Sequence, residues 1–436
     1  WNIKNINISP GDELFYYIKA YDNNIKSGPG IGKSDILRAY FPNLEELYFE
    51  VEEQQDQVID TFDNMINSLD ELKEMYEEIS DDVLKEETGW EQENEANKMV
   101  QELENISEKI ESLDNTIKTI EELNEKNNLI NSELGEKIEK LRQMFQNAIS
   151  PELMESLRKL QESLNENNTQ KSIQELNNFE FEMNDLERQL DRMIELFEKI
   201  VIEQKLDELI KKSQSMDDLQ KDITKKIEED KSNPNINAMA NTQKENLNDL
   251  LKTMDETESL AKKLDPNLAN TLNEIQNSPL PSNIQNELQN LSNNNQIKNM
   301  AESSNEIENE IQNMKNKIDE MIESHKKKAS IEMLNMYIRI IKNLIDMSYS
   351  QELIIKESEI IKSRKNIIVP IITSKQNILL QQYKSVFMQI SDLSKKSFHI
   401  KPETSKSFSQ IFNYIIKTIS AFEQGQINKA KKYEKI

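Results

Sequence analysis

Leu103-Glu104-Asn105-Ile106-Ser107-Glu108-Lys109-Ile110-Glu111-Ser112-Leu113-Asp114-Asn115-Thr116-Ile117-Lys118-Thr119-Ile120 is the stretch that decides the fold. Its apolar residues alternate at spacings of three and four without error, the period of a helix that hides one narrow stripe against a partner. The same rhythm extends outward. On the N-terminal side Leu44, Leu47, Val51, Val58, Phe62, Met65, Leu69, Leu72, Tyr76, Ile79 and Val83 repeat at threes, fours and one seven. On the C-terminal side come Leu153, Leu157, Leu160 and Leu164, then Met183, Leu186, Leu190, Met193, Phe197 and Ile200, then Ile297, Met300, Ile307, Ile311, Met314 and Ile318. A helix of about 45 residues runs about 68 Å at about 1.5 Å per residue. Such rods cannot bury their stripes alone, so they pair within the chain or with a second copy. The expectation is a mainly α protein of long antiparallel helices in coiled-coil-like bundles.

Local signals punctuate the rods. Thr88-Gly89-Trp90, Ser150-Pro151-Glu152 and Asn233-Pro234-Asn235 sit where antiparallel folding-back needs turns, the second being an N-cap followed by Pro at the first helical position. Asp265-Pro266 and Ser278-Pro279-Leu280-Pro281 cut shorter helices. The chain therefore divides into 1–41, a terminal β segment; 42–230, long helices; 231–295, shorter Pro-marked helices; and 296–436, a helical bundle. Around Ile331 to Met347 the apolar residues (Met333, Leu334, Met336, Tyr337, Ile338, Ile340, Ile341) occupy more than one stripe, which predicts burial on most sides. Residues 371–397 and 403–434 are expected to form an antiparallel hairpin turning at Phe398–Pro402. Its facing stripes are Ile378, Leu379, Val386, Ile390 and Leu393 on one arm, and Phe408, Ile411, Ile415, Ile419 and Phe422 on the other. Asn124, Asn127 and Gln54 stand at or near core positions, where a polar residue fixes register at a cost in stability.

Residues 1–41 read differently. Pro10-Gly11-Asp12 is a turn signal, Leu14 to Tyr21 is aromatic and alternating, Asp22-Asn23-Asn24 turns again, and Ser34 to Tyr40 is a second strand. Two strands alone are not stable in water, so they read as the last hairpin of a sandwich. The opening at Trp1, within such a segment, predicts a fragment of a longer chain.

Composition removes several functions. Of 436 residues 80 are Asp or Glu against 54 Lys or Arg, and the net charge of −26 argues against general nucleic-acid binding, which needs clustered cations. The charge is uneven: Lys326 to Ile436 hold 20 Lys/Arg and 9 Asp/Glu, net +11, leaving −37 on the first 325 residues. That balance is a solvated basic face, or C-terminal helices that dock on acidic ones. With no Cys there is no thiolate nucleophile or Cys zinc site. Ile367–Ile372 is the longest apolar run and holds Pro370; contact with a membrane is expected only through an anchor outside this segment.

Ser27-Gly28-Pro29-Gly30-Ile31-Gly32-Lys33-Ser34 imitates a phosphate-binding loop. Ser27 replaces the first Gly, and Pro42 leaves no room for the full helix whose N-terminus such a loop aims at phosphates. The expected role is a hairpin loop with Lys33 in solvent, and an NTPase is a remote alternative. His325 and His399 lack the Glu-x-x-His spacing of a di-iron bundle, with Ile322 and Lys396 three residues before them. The acidic residues form no calcium-hand loop. The 17 Met fall at seam positions and read as core filler. No catalytic, cofactor-binding or metal residue is assigned, and no cofactor is expected.

Three stretches, in order, carry a resemblance. The first is Ser9-Pro10-Gly11-Asp12-Glu13-Leu14 with Tyr17, Ala20, Tyr21-Asp22-Asn23 and Ser27-Gly28-Pro29, leading to Phe41-Pro42-Asn43-Leu44-Glu45-Glu46. The second is Ile149-Ser150-Pro151-Glu152-Leu153 with Leu157-Arg158-Lys159-Leu160-Gln161, then Leu186-Glu187-Arg188-Gln189-Leu190 and Glu203-Gln204-Lys205-Leu206. The third is Lys396-Ser397-Phe398-His399-Ile400 with Pro402 and Phe422-Glu423-Gln424-Gly425. Together they resemble an uncharacterised bacterial family of large proteins with N-terminal membrane helices, immunoglobulin-like repeats and a long Gln/Glu-rich helical region. The resemblance implies that the β segment ends an immunoglobulin-like domain and that the chain lies on the extracytoplasmic side of the inner membrane. The family has no assigned activity. The functional expectation is a non-catalytic scaffold or interaction rod, with a protein partner or self-association through its seams; the alternative is a chaperone-like or adaptor bundle gripping an extended partner.

Overall fold

The computed structural model describes residues 13–22, 30–85, 90–166, 168–229, 236–293, 297–361 and 368–435. Among the described residues strand is confined to the part before residue 41, as the sequence predicts. β1 (Glu13–Tyr16) pairs antiparallel with β4 (Leu37–Tyr40), Leu14 opposite Ala39, and β2 (Lys19–Tyr21) pairs with β3 (Ile31–Lys33), Ala20 opposite Gly32. The result is one hairpin interrupted at its middle. There Ser34 takes over the ladder: its N–H donates to the Ile18 carbonyl at 2.9 Å and its Oγ accepts from the Ile18 N–H at 2.9 Å. The second arm thus begins at Ile31, earlier than expected. Phe15, Ile18, Tyr21, Ile31 and Ile36 remain exposed on this ribbon.

Asn43 switches the chain to helix. Its Oδ1 accepts from Glu46 N at 2.8 Å while Glu46 Oε2 accepts from Asn43 N at 3.0 Å, a reciprocal cap that satisfies two orphan N–H groups. Five helices follow: α1 (Leu44–Leu84), α2 (Trp90–Asn127), α3 (Ser132–Phe145), α4 (Pro151–Asn165) and α5 (Thr169–Glu229). Cross-links between them fix an up-down-up-down bundle. Lys109 of α2 reaches Ser68 of α1, Arg142 of α3 reaches Asp114 and Glu121 of α2, and Lys73 of α1 pairs with Glu187 of α5. α3 and α4 together make the third member, broken at Ser150, whose Oγ caps Leu153 N at 3.0 Å. The seams read from the sequence line this core, with Phe62 between Phe145 and Phe197 at ring-centroid distances of 5.7 and 5.9 Å. α2 ends with Asn128 in the left-handed region (φ 58°), and Leu129 N donates to Asn124 O at 2.9 Å; Asn tolerates that conformation better than other side chains. The expected turn at Thr88-Gly89 lies outside the described residues.

The first core closes at Val201 and a second opens at Ile202, within the uninterrupted α5. The second core joins the rest of α5 to α6 (Ile236–Leu264), α7 (Pro266–Gln276), α8 (Pro279–Asn293) and the first part of α9 (Ile297–Glu359). It repeats the antiparallel plan, α7 and α8 standing as one broken member. The helices break at Asp265-Pro266, as predicted, and there Asp265 caps α7; the turn at Asn233-Pro234-Asn235 lies outside the described residues. α9 then runs on into a third core with α10 (Ile368–Ser394), α11 (Pro402–Glu423) and α12 (Ile427–Tyr433).

Three expectations need correction here. The last arm is two helices, because Gly425 at φ 76° ends α11 with Gln426 N bonded to Ala421 O at 2.8 Å. In the facing stripes of α10 and α11, Leu379, Val386, Ile390, Leu393, Phe408, Ile415, Ile419 and Phe422 are buried, but Ile378 and Ile411 are 58% and 44% exposed. Tyr383 does what Ile378 was expected to do, burying its ring near Phe408 and donating to the Phe408 carbonyl at 2.6 Å. Finally, the apolar residues of 331–347 are not buried on most sides: Ile340 and Met347 are, whereas Ile331, Leu334, Ile338, Ile341 and Ile345 face solvent.

Candidate functional site

The densest chemistry lies where the first two cores meet. α5 from 204 to 220 buries Leu206, Leu209 and Met216, and on its other sides Gln204, Lys205, Asp207, Glu208, Lys212, Ser213, Asp217 and Gln220 are buried as well. A polar helix can be enclosed only if its neighbours supply partners. α1 supplies Glu52 and Gln55, the end of α2 supplies Asn124, the loop before α3 supplies Asn131, and α6 supplies Thr253 and Glu256.

Lys205 Nζ lies against Glu52, 2.7 Å from Glu256 Oε2 and 3.5 Å from Glu208 Oε2. Glu208, 2% exposed, also takes Lys212 at 2.7 Å and the Thr253 hydroxyl at 2.9 Å. Beside them Gln204 Oε1 accepts from Gln55 at 2.9 Å, and Asp207 accepts from Asn131 Nδ2 at 2.7 Å. Burial by itself would favour a neutral Lys205, but Glu208, Glu256 and Glu52 outweigh it and raise the amine above its usual range. Burial likewise pushes the Glu256 carboxyl up, and Lys205 more than reverses this, holding it below the carboxylate norm. Tyr48, beside this cluster, is pushed far up by burial, Glu208 and Asp207.

Such a cluster holds register. Lys205 and Lys212 answer Glu52, Glu208 and Glu256, and the surface hollows of about 420, 560 and 430 Å³ are lined by other residues; the largest of these three lies among α4, α5 and α11 near Glu155, Lys159, Glu180 and Lys417. Among the described residues no group of His, Cys, Asp and Glu could hold a metal ion, and no helix is long and apolar enough to cross a membrane.

A second polar joint ties the third core to the first. Arg192 of α5, 6% exposed, donates to the carbonyls of Ser394 (2.9 Å), Ser397 (3.2 Å) and Ile400 in the α10–α11 turn. Lys199 Nζ donates to Lys395 O at 3.0 Å, and Lys395 pairs with Glu195 and Asp191. Burial lowers both Arg192 and Lys199, the latter to about 8. Here the basic C-terminal part does dock on an acidic helix, through a turn that the sequence located.

The residues singled out in the sequence fall apart in space. Lys33 lies in strand β3, not in a loop, with Nζ 4.0 Å above the Tyr17 ring, and extended chain rather than a helix follows it; Ser27, Gly28 and Pro29 lie outside the described residues. His325 Nδ1 meets Asp265 Oδ2 at 2.9 Å, closing α9 on the α6–α7 corner. The His399 N–H donates to Ser397 Oγ at 3.1 Å within the α10–α11 turn. Of the register residues, Asn124 is fully buried, whereas Gln54 and Asn127 are only half-buried, and Gln55 holds the core place expected for Gln54. Gln55 fills the one seven-residue gap, between Val51 and Val58, and that gap was its signal. No known family, curated protein or solved structure matches the chain.

Proposed function

We propose that the chain is a non-catalytic helical scaffold, an interaction rod of a bacterial envelope protein. The observation that carries this reading is the closed polar joint on α5. It braces one bundle against the next inside a single uninterrupted helix, and α9 likewise runs without a break from the second core into the third. Bracing of this kind suits a part that holds other things at fixed separation. Placement on the extracytoplasmic side of the inner membrane, and the β hairpin as the end of an immunoglobulin-like domain, rest on the family resemblance; the exposed Phe15, Ile18 and Ile31 suit a hairpin that packs on further strands. The strand setting of Lys33 lends the phosphate-loop alternative no support.

The adaptor alternative requires seams that open for an extended partner. Hydrogen exchange on the free chain separates the two. The scaffold reading expects slow exchange throughout 103–120 and 183–200; fast exchange there, slowed by an added extended polypeptide, would replace it with the adaptor.

A further inference from the structure

α9 carries two apolar stripes. One, including Tyr337, Ile340, Leu344, Met347 and Ile354, enters the third core. The other runs from Ile331 through Leu334, Ile338, Ile341 and Ile345 to Leu353, keeps helical spacings of three and four with Tyr349 between the last two, and its named residues are 42–64% exposed. We propose that this second stripe joins two copies of the chain, paired antiparallel about a two-fold axis near Lys342. The proposal rests on the scaffold reading, which it deepens by naming the partner.

Three observations carry it. The spacing is that of a helix–helix seam, sustained over about 33 Å, whereas an irregular peptide needs no such period. At roughly 80–100 Å² of exposed apolar surface per side chain the stripe offers roughly 600 Å² per copy, more than most monomers leave open and near the half-interface of a stable complex. Charge sets the partner and the direction. Lys326, Lys327, Lys328 and Arg339, with Glu332 as the one acid, lie on the N-terminal side of the axis; Asp346, Glu352, Glu357 and Glu359, with Lys356 as the one base, lie on the other. Glu357 and Glu359 already share their charge with Lys375 and Lys435, which leaves Asp346 as the stronger attraction. A parallel pair would stack Arg339 on Arg339 and Lys326–Lys328 on their own copies, a repulsive register. Antiparallel pairing brings Arg339 level with Asp346 of the second copy and Lys328 level with Glu357 of the second copy. The stripe is therefore self-complementary, as a two-fold contact requires. A uniformly anionic lipid surface would be repelled by its acidic half.

The chain has no Cys, so single-Cys variants of the full chain report the geometry directly. Sedimentation at physiological salt should show a dimer, and Ile338→Lys with Ile345→Lys should weaken it roughly 100-fold or more. Both sites are exposed in the single chain, so helical signal and melting should not change. Lys342→Cys should form a disulfide-linked dimer by itself. Ile331→Cys should do so only when mixed with Leu353→Cys. A monomer at high concentration, self-linking of Ile331→Cys alone, or a monomer that binds anionic phospholipid vesicles through the same isoleucines would each overturn the proposal. A monomer whose seams still exchange slowly would remove this contact and leave the scaffold reading standing; open seams would remove the scaffold reading itself.

Discussion

Gln55 on α1 and Gln204 on α5, 149 residues apart in the chain, share a 2.9 Å hydrogen bond with both side chains out of water. Neither is apolar, yet each stands at a seam position of its helix. Their bond fixes the height at which the first helix meets the fifth, one step from the Lys205 cluster. An amide pair in that position makes register costly to shift, since a slip would bury both groups unsatisfied.

Gln204→Leu alone should therefore lower stability by about 1–3 kcal/mol, because Gln55 is left buried without its partner. Adding Gln55→Leu should recover most of the loss. Urea unfolding of the two single variants and the double variant measures the coupling; strictly additive losses would mean that the two amides do not act as a pair.

Glu208→Gln should be the most damaging polar change. It leaves Lys205 and Lys212 short of a buried counter-charge, at a cost of about 3–5 kcal/mol. Lys73→Met, which breaks the half-exposed pair with Glu187, should cost no more than about 1 kcal/mol. Equal effects in denaturant titrations would show that the α5 cluster is no more closed than the bundle surface.

Lys199 gives a pH signature. Burial lowers its amine from the ordinary 10.5 to about 8 in the folded chain. Below pH 8 both states hold the proton, and the penalty for burying the charge is fully present. Between about 8 and 10.5 the folded state has released a proton that the unfolded chain keeps, so this residue's contribution to stability rises with pH. Lys199→Met should stabilise the protein by about 1–2 kcal/mol at pH 7 and lose that advantage near pH 10.5. A difference that stays constant across this range would show that the amine is not held neutral by burial.

In the third core, Ile390→Ala should cost about 2–5 kcal/mol, since that side chain is 3% exposed. Ile378→Ala, at 58% exposed, should cost little. Thermal melts of the two variants test the phase of α10, which the sequence left ambiguous because Ile378 and Leu379 are adjacent apolar residues. If Ile378→Ala proves the costlier change, α10 is rotated from the orientation described.

These cases show how far residues alone lead. The helix seams were legible because a stretch such as Leu103 to Ile120 buries one stripe against one layer of neighbours, so period and burial coincide. The cap at Ser150 was legible, as were the helix boundaries at Asn43 and Asp265-Pro266, because their chemistry is local. Two features were hidden for opposite reasons. In residues 204–220 of α5 the polar residues between Leu206, Leu209 and Met216 look solvated, and only the arrival of α1, α2, α6 and α9 from distant sequence encloses them. Ile331 to Leu353 look like core, and nothing local states that α9 has neighbours on one side only. The Gly-rich stretch Gly30–Lys33 reads as a loop, yet it forms a strand because Gly32 lies opposite Ala20 on the other arm.

The central claim is that α5 holds the first two bundles at a fixed separation. The most direct test is the distance between spin labels at Glu104→Cys on α2 and Lys244→Cys on α6, exposed sites on either side of the Lys205 joint, measured by pulsed electron spin resonance in the Cys-free chain. The account predicts one narrow distance distribution that broadens when Glu208→Gln opens the joint. A broad or two-peaked distribution in the unaltered joint would contradict it, making α5 a hinge between independent bundles.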